Sequence, residues 1–138
     1  MNWQIYALGG AFFASLTAIT GKLGVRDIDS NLATAIRTVV VLVFAWSVVA
    51  WQGKARDLAN VSQSTLAWLV VSGLMTGASW LLFFRALQMA PASRVAPLDK
   101  LSLAFTFVLA AVFLREQIGI REIAGVSLMV AGAVLLSR

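Results

Sequence analysis

The sequence contains no histidine and no cysteine among its 138 residues. The missing histidine excludes His-based acid–base catalysis and most zinc sites. The missing cysteine excludes disulfides and thiol chemistry, and says little about compartment. Charge is also scarce: 12% of residues are Asp, Glu, Lys or Arg, against about 25% in soluble domains. No carboxylate pair offers itself for acid–base work, so no enzyme and no cofactor is expected. The N-terminus, Met1-Asn2-Trp3, lacks the basic n-region of a signal peptide, and no A-x-A cleavage site follows the first apolar run. That run is expected to be a retained helix.

What is abundant is apolar surface. Hydrophobic residues make up 60% of the chain, and mean hydropathy is +0.88. A chain of this size cannot hide so much apolar surface in its own core, which points to lipid as solvent. A helix needs about 20 apolar residues to cross the hydrocarbon core. Five runs qualify: residues 3–23, 31–51, 65–88, 95–114 and 118–136. The pattern predicts an all-α membrane protein with one five-helix transmembrane domain over residues 1–138. Barrel strands are excluded because none of the runs alternates in polarity. Asp29 or Ser30 suits the N-cap of the second helix. The loop over residues 52–64 has room for one interfacial turn. Pro97 reads as the opener of the fourth helix, and Arg115-Glu116-Gln117 ends it.

Five spans put the termini on opposite faces. On the N-terminal face, A, the connections carry Lys54, Arg56, Arg115 and Arg121; face B carries Lys22, Arg26, Arg94 and Arg138. Loop charge normally sets orientation, and here the two faces balance. Counting Arg37, Arg85 and Lys100 inside the helices tips the balance toward B. Trp3, Trp51 and Trp68 form an aromatic belt near A. One reading is a single orientation set by other factors. The other is dual topology, with copies inserting both ways and pairing antiparallel. Arg37, Arg85, Asp99 and Lys100 all fall in the B-side half, so a polar, net positive vestibule open to B is expected.

Intramembrane ionisable residues are expensive and by default functional. Asp99 shares a helical stripe with Val95, Ser102 and Thr106. It is read either as a proton or cation site or as a permanent partner of Lys100, Arg37 or Arg85. Lys100 either faces the cavity or snorkels to B. Arg37 sits too deep for a comfortable snorkel, so anion recognition and a structural ion pair both stand. Arg85 reads as snorkelling. Trp80, mid-membrane, either lines a pocket or packs. Glu116, Glu122 and Lys22 are explained by caps, ion pairs and helix dipoles. Gly73-x-x-x-Gly77 and Gly125…Gly132 permit close helix approach.

Several stretches together resemble an EamA-type repeat of the drug/metabolite transporter superfamily. They are Arg37 in an apolar second helix, the third-helix exit Phe84-Arg85-Ala86-Leu87-x-x-Ala90-Pro91-Ala92-Ser93, the ending Phe113-Leu114-Arg115-Glu116, and Gly119-x-x-Glu122-Ile123-Ala124-Gly125…Ala131-Gly132-Ala133. The resemblance covers essentially the whole chain. It departs from the common form at Phe83 and Phe84, where an aromatic residue is often Tyr, and in the Asp99-Lys100 pair, which is not part of the general pattern.

The resemblance implies one half of an inverted-repeat, ten-helix transporter around a central cavity. It also implies a partner, most simply an antiparallel copy of the chain, much as small multidrug resistance proteins pair. The expected function is export of a small metabolite by alternating access in a bacterial or archaeal inner membrane. The substrate site is expected at Asp99, Lys100, Arg37, Trp80, Ser102 and Thr106, with protons as a further ligand and membrane lipid as surroundings. No metal or nucleic-acid partner is expected. The alternatives are a non-transporting membrane subunit and half of a heterodimeric transporter.

Overall fold

A computed structural model of the chain describes residues 2–137; Met1 and the face-B charge Arg138 lie outside the described residues. The order is α1 (Trp3–Gly24), α2 (Ser30–Trp51), a 3-10 helix (Lys54–Asn60), α3 (Gln63–Met89), α4 (Ala92–Asp99), α5 (Ser102–Phe113) and α6 (Ile120–Ser137). No strand occurs among the described residues. Three segments are long and apolar enough to cross a membrane: Ser30–Trp51, Gln63–Met89 and Ala92–Phe113. The chain is therefore built as a multi-pass membrane protein. The other two long helices are more dilute: Gly9, Gly10, Ser15, Thr17 and Thr20 interrupt α1, and α6 has 18 residues with Arg121 and Glu122 in its first turn.

Local chemistry explains the helix ends. The Asp29 carboxylate accepts from the backbone N–H groups of Asn31 at 2.9 Å and Leu32 at 3.2 Å. That satisfies two of the donors a helix start leaves unpaired. Of the two candidate caps, Asp29 is the one used. Gly53, with φ of 69°, turns the chain out of α2 and into the 3-10 helix, the expected interfacial turn. The Ser62 hydroxyl accepts from Thr65 N–H at 3.1 Å and starts α3. After α5, Arg115 adopts φ of 53° and Glu116 N–H reaches back to the Ala110 carbonyl at 3.3 Å. A non-glycine residue in the left-handed region costs about 1 kcal/mol, and here it closes a helix.

The fourth span departs from expectation. Pro97 does not open it. The helix begins at Ala92 behind Pro91, and Pro97 lies inside α4. Proline donates no N–H to the carbonyl four residues back. Beyond it the pattern tightens: Lys100 N–H bonds Pro97 O, Leu101 bonds Leu98, Leu103 bonds Lys100 and Ala104 bonds Leu101. These are i to i+3 bonds of the 3-10 type. The span is thus two α-helical pieces joined by a 3-10 turn at Lys100-Leu101.

The helices fall into two compact units, residues 1–23 with 89–138, and residues 24–88. In the first, α6 packs mainly on α4 and also on α5. Lys22 Nζ donates to the Ala90 carbonyl at 2.8 Å, tying the end of α1 to the turn before α4. The helix-dipole role expected of Lys22 therefore has a direct hydrogen bond beside it. In the second unit the buried residues are confined to one end. Val25 lies in the loop before α2, Ser30, Ala33 and Thr34 at the start of α2, and Phe84 and Leu87 at the end of α3. The Gln88 amide donates to the carbonyls of Val25 at 3.2 Å and Ile28 at 3.0 Å.

Asp29→Ala is expected to destabilise the second unit by about 1 kcal/mol through loss of the cap, and Asp29→Asn by less. Denaturation midpoints in detergent measure this; equal midpoints for Asp29→Ala and the unmodified chain would remove the cap from the account.

Candidate functional site

The ionisable groups expected within the spans fall on both units, and each unit is described by itself. In the first, Asp99 ends α4 and Lys100 is its C-cap. Lys100 Nζ lies 3.4 Å from Asp99 Oδ2, with side chains 52% and 37% exposed. Of the open partners for Asp99, the adjacent lysine is the one engaged. At that distance and exposure the pair is weak, worth well under about 1 kcal/mol. The charges sit on the break in the span, where backbone groups leave the α pattern. Ser102 and Thr106 follow on α5, and both are exposed. Across a 3-10 turn residues i and i+3 eclipse, so Asp99 and Ser102 keep a common stripe despite the break. Val95, on the same stripe, is buried.

The second unit holds Arg37 and Trp80. Arg37 is seven residues into α2, about 10 Å along its axis. Its guanidinium carbon lies over the Trp80 ring at 4.1 Å and over the Phe84 ring at 4.9 Å. Trp80 and Phe84 are four apart on α3, so they share one helix face. Two ring quadrupoles attract the cation, and such contacts reach about 2 kcal/mol when desolvated. Trp80, left open between lining and packing, is thus one platform of a half-buried cation. Phe84, 2% exposed, is a second platform that sequence reasoning did not include. The signal that could have found it is an i, i+4 aromatic pair in one span facing a lone arginine in another.

The rings stabilise charge but accept no ordinary hydrogen bonds. Nη1 of Arg37 is shut off from solvent and has no hydrogen-bond partner among the described residues. Neighbouring hydroxyls are committed elsewhere: Thr34 donates to the Ser30 carbonyl and Thr38 to that of Thr34, each at 2.8 Å. Asp29 serves its own helix start. Arg85 donates to Gln88 Oε1 at 2.8 Å, which gives the expected snorkelling residue a fixed partner.

A cleft of about 380 Å³ opens at the same end, lined by Asp29, Ser30, Asn31, Leu81, Leu82 and Arg85. It contains none of the six expected site residues. It carries one acid, Asp29, and one base, Arg85; of the four charges expected around a vestibule it holds Arg85 alone. Phe84 and Leu87 close the end of α3 beside it by burial. No group of three or more metal-ligating side chains occurs among the described residues.

The sequence matches the EamA-like transporter family over residues 1–138. It is 45% identical over 136 residues to an uncharacterized transporter encoded in the cobO 3' region of Sinorhizobium sp, covering 99% of this chain and 96% of that protein. It is 27% identical over 128 residues to an uncharacterized protein of Methanocaldococcus jannaschii, covering 93% of this chain and 85% of that one. No solved structure matches.

The Arg37–Trp80 contact is expected to show in a double-mutant cycle. Arg37→Met and Trp80→Leu should couple by about 0.5–2 kcal/mol. Denaturation midpoints of the two single variants and the double variant give the coupling, and strict additivity would show that the contact contributes nothing.

Proposed function

The chain belongs to the EamA-like transporter family, and we propose that it is one half of a small-molecule exporter, five membrane-spanning helices acting as a single domain and working as an antiparallel homodimer by alternating access. The observation that carries this reading is the Asp99–Lys100 pair at the break of the Ala92–Phe113 span. Transporter sites are built where spans are discontinuous, because free backbone groups and helix ends there bind polar ligands away from bulk water. The residues assigned to substrate binding are Asp99, Lys100, Ser102 and Thr106 in the first unit, and Arg37 and Trp80 in the second. Protons are a candidate second ligand through Asp99. The setting is a bacterial or archaeal inner membrane.

A single repeat offers its spans to something other than itself. Only 6% of the Ala92–Phe113 window is buried, 11% of that in α2 and none of that in α3. A Cβ added at Gly73, Gly77, Gly125 or Gly132 would meet nothing within 4 Å. These glycines, expected to permit close helix approach, leave room for a backbone outside the protomer. A second copy inserted the other way would supply the inverted repeat, and the balance of loop cations between faces permits that insertion. The glycine surfaces equally suit a different five-helix chain, or a larger assembly in which this chain is a non-transporting subunit.

Topology decides between them. Ala55→Cys in the 3-10 helix and Ser93→Cys in α4 are neutral, exposed positions on opposite expected faces of a chain otherwise free of cysteine. Membrane-impermeant labelling of intact cells should modify a fraction of each. Complete labelling of one and none of the other would remove the antiparallel homodimer. Gly77→Leu is expected to leave the protomer folded, because it meets nothing there, and to weaken self-association on size-exclusion chromatography. Unchanged association would place the dimer contact elsewhere.

A further inference from the structure

Within the transporter reading, on which this rests, we propose that Arg37 is the receptor for an oxyanion, and that the transported molecule carries a carboxylate or phosphate group. The argument begins from donors and acceptors. A guanidinium has five N–H donors and no acceptor. Arg37 makes no hydrogen bond or ion pair among the described residues, and its only described partners are two aromatic rings. Nη1 is closed off from solvent with nothing to donate to. An enclosed charged donor left in that state is more destabilising than a neutral one. A fold keeps such a group where something else completes it.

The local chemistry says what completes it. The nearest hydroxyls on the same helix, Thr34 and Thr38, are turned onto backbone carbonyls. The carboxylate at the start of the helix, Asp29, is held by two N–H groups. Both polar ends of Gln88 are occupied, by Arg85 and by the carbonyls of Val25 and Ile28. None of these groups is bonded to Arg37. It is only partly covered, so an edge of the side chain is reachable.

Trp80 and Phe84 hold the cation by attraction to ring faces, which is directionless within the guanidinium plane. Nη1 is enclosed, so the N–H fork that takes a carboxylate or phosphate in two parallel bonds is the edge formed by Nη2 and Nε. A cationic substrate would meet a fixed positive charge here, so it is disfavoured. The rings add a flat apolar surface beside the fork, which suits an organic anion over a hydrated inorganic one.

The test reads binding directly. Replacing Trp3, Trp46, Trp51 and Trp68 by Phe leaves Trp80 as the single indole of five, a reporter in contact with Arg37. The protein, in phosphatidylcholine nanodiscs, is titrated with acetate, benzoate and inorganic phosphate, with chloride at matched ionic strength as control. Calorimetry on the unmodified chain repeats the titrations, so the result does not depend on the tryptophan replacements. A saturable change of Trp80 emission with an oxyanion is expected, inert to chloride. It should weaken roughly tenfold in Arg37→Lys, the worth of one charge-assisted hydrogen bond, and vanish in Arg37→Ala. Absence of saturable binding to any of the three, or equal binding by Arg37→Ala, would overturn the proposal. A response that appears only when phosphatidylglycerol replaces phosphatidylcholine would make the occupant a lipid headgroup and overturn its assignment to the substrate. Binding and flux fail separately. Oxyanion binding without flux in proteoliposomes retains the site and removes the transporter, whereas cation flux without oxyanion binding does the reverse.

Discussion

A positive charge about 10 Å inside an apolar helix is the constraint around which the second unit is arranged. Arg37 has no ion pair among the described residues and lies over the faces of Trp80 and Phe84. Attraction to a ring quadrupole survives in a low-dielectric setting, where a fully desolvated ion pair is compensated only by excellent geometry. The arrangement leaves the N–H fork uncommitted. It also explains why the buried residues of this unit gather where they do. The rings that meet the arginine must be brought against the first turns of α2, and Ser30, Ala33, Thr34, Phe84 and Leu87 are the buried residues at these two helix ends.

The first unit has a different solution to charge within a span. Asp99 and Lys100 are adjacent and weakly paired, at a point where the helix has already lost its regular bonding. Pro97 removes one donor, and the 3-10 turn that follows reorganises the next several. Polar side chains and irregular backbone thus coincide. In a membrane, irregular backbone persists where protein or water can satisfy it. The break in regular helical bonding and the charged pair thus fall on one element of the span.

Membership of the EamA-like transporter family gives these features a common purpose. Long apolar helices with little burial, glycines that face open space and charges set inside spans are poor traits for a stand-alone bundle. They are coherent for a membrane transporter of this family. The Asp99–Lys100 salt bridge is exposed and modest, so stability rests on apolar helices in lipid, on caps such as Asp29, and on the Gln88 and Lys22 hydrogen bonds that tie chain segments together.

Hydropathy alone located the helices to within a few residues, because about 20 apolar residues in a row have one stable solvent. It also identified Asp29 as a cap candidate and marked Arg37, Asp99 and Lys100 as too costly to be accidental. Those conclusions depend on composition and local spacing, which a sequence carries in full. The place of Pro97 was not legible. Proline suits a helix's first turn, so the pattern favoured an opener, whereas the chain starts its helix at Ala92 and accepts the break downstream. Nor was the partner of Arg37. The sequence left anion recognition and an ion pair with Asp99 both open for Arg37, and only the approach of α3 to α2, forty-odd residues apart in the chain, set it against two rings. Which residue meets which across such separations depends on tertiary packing, and that is what decided that the arginine keeps its hydrogen bonds free.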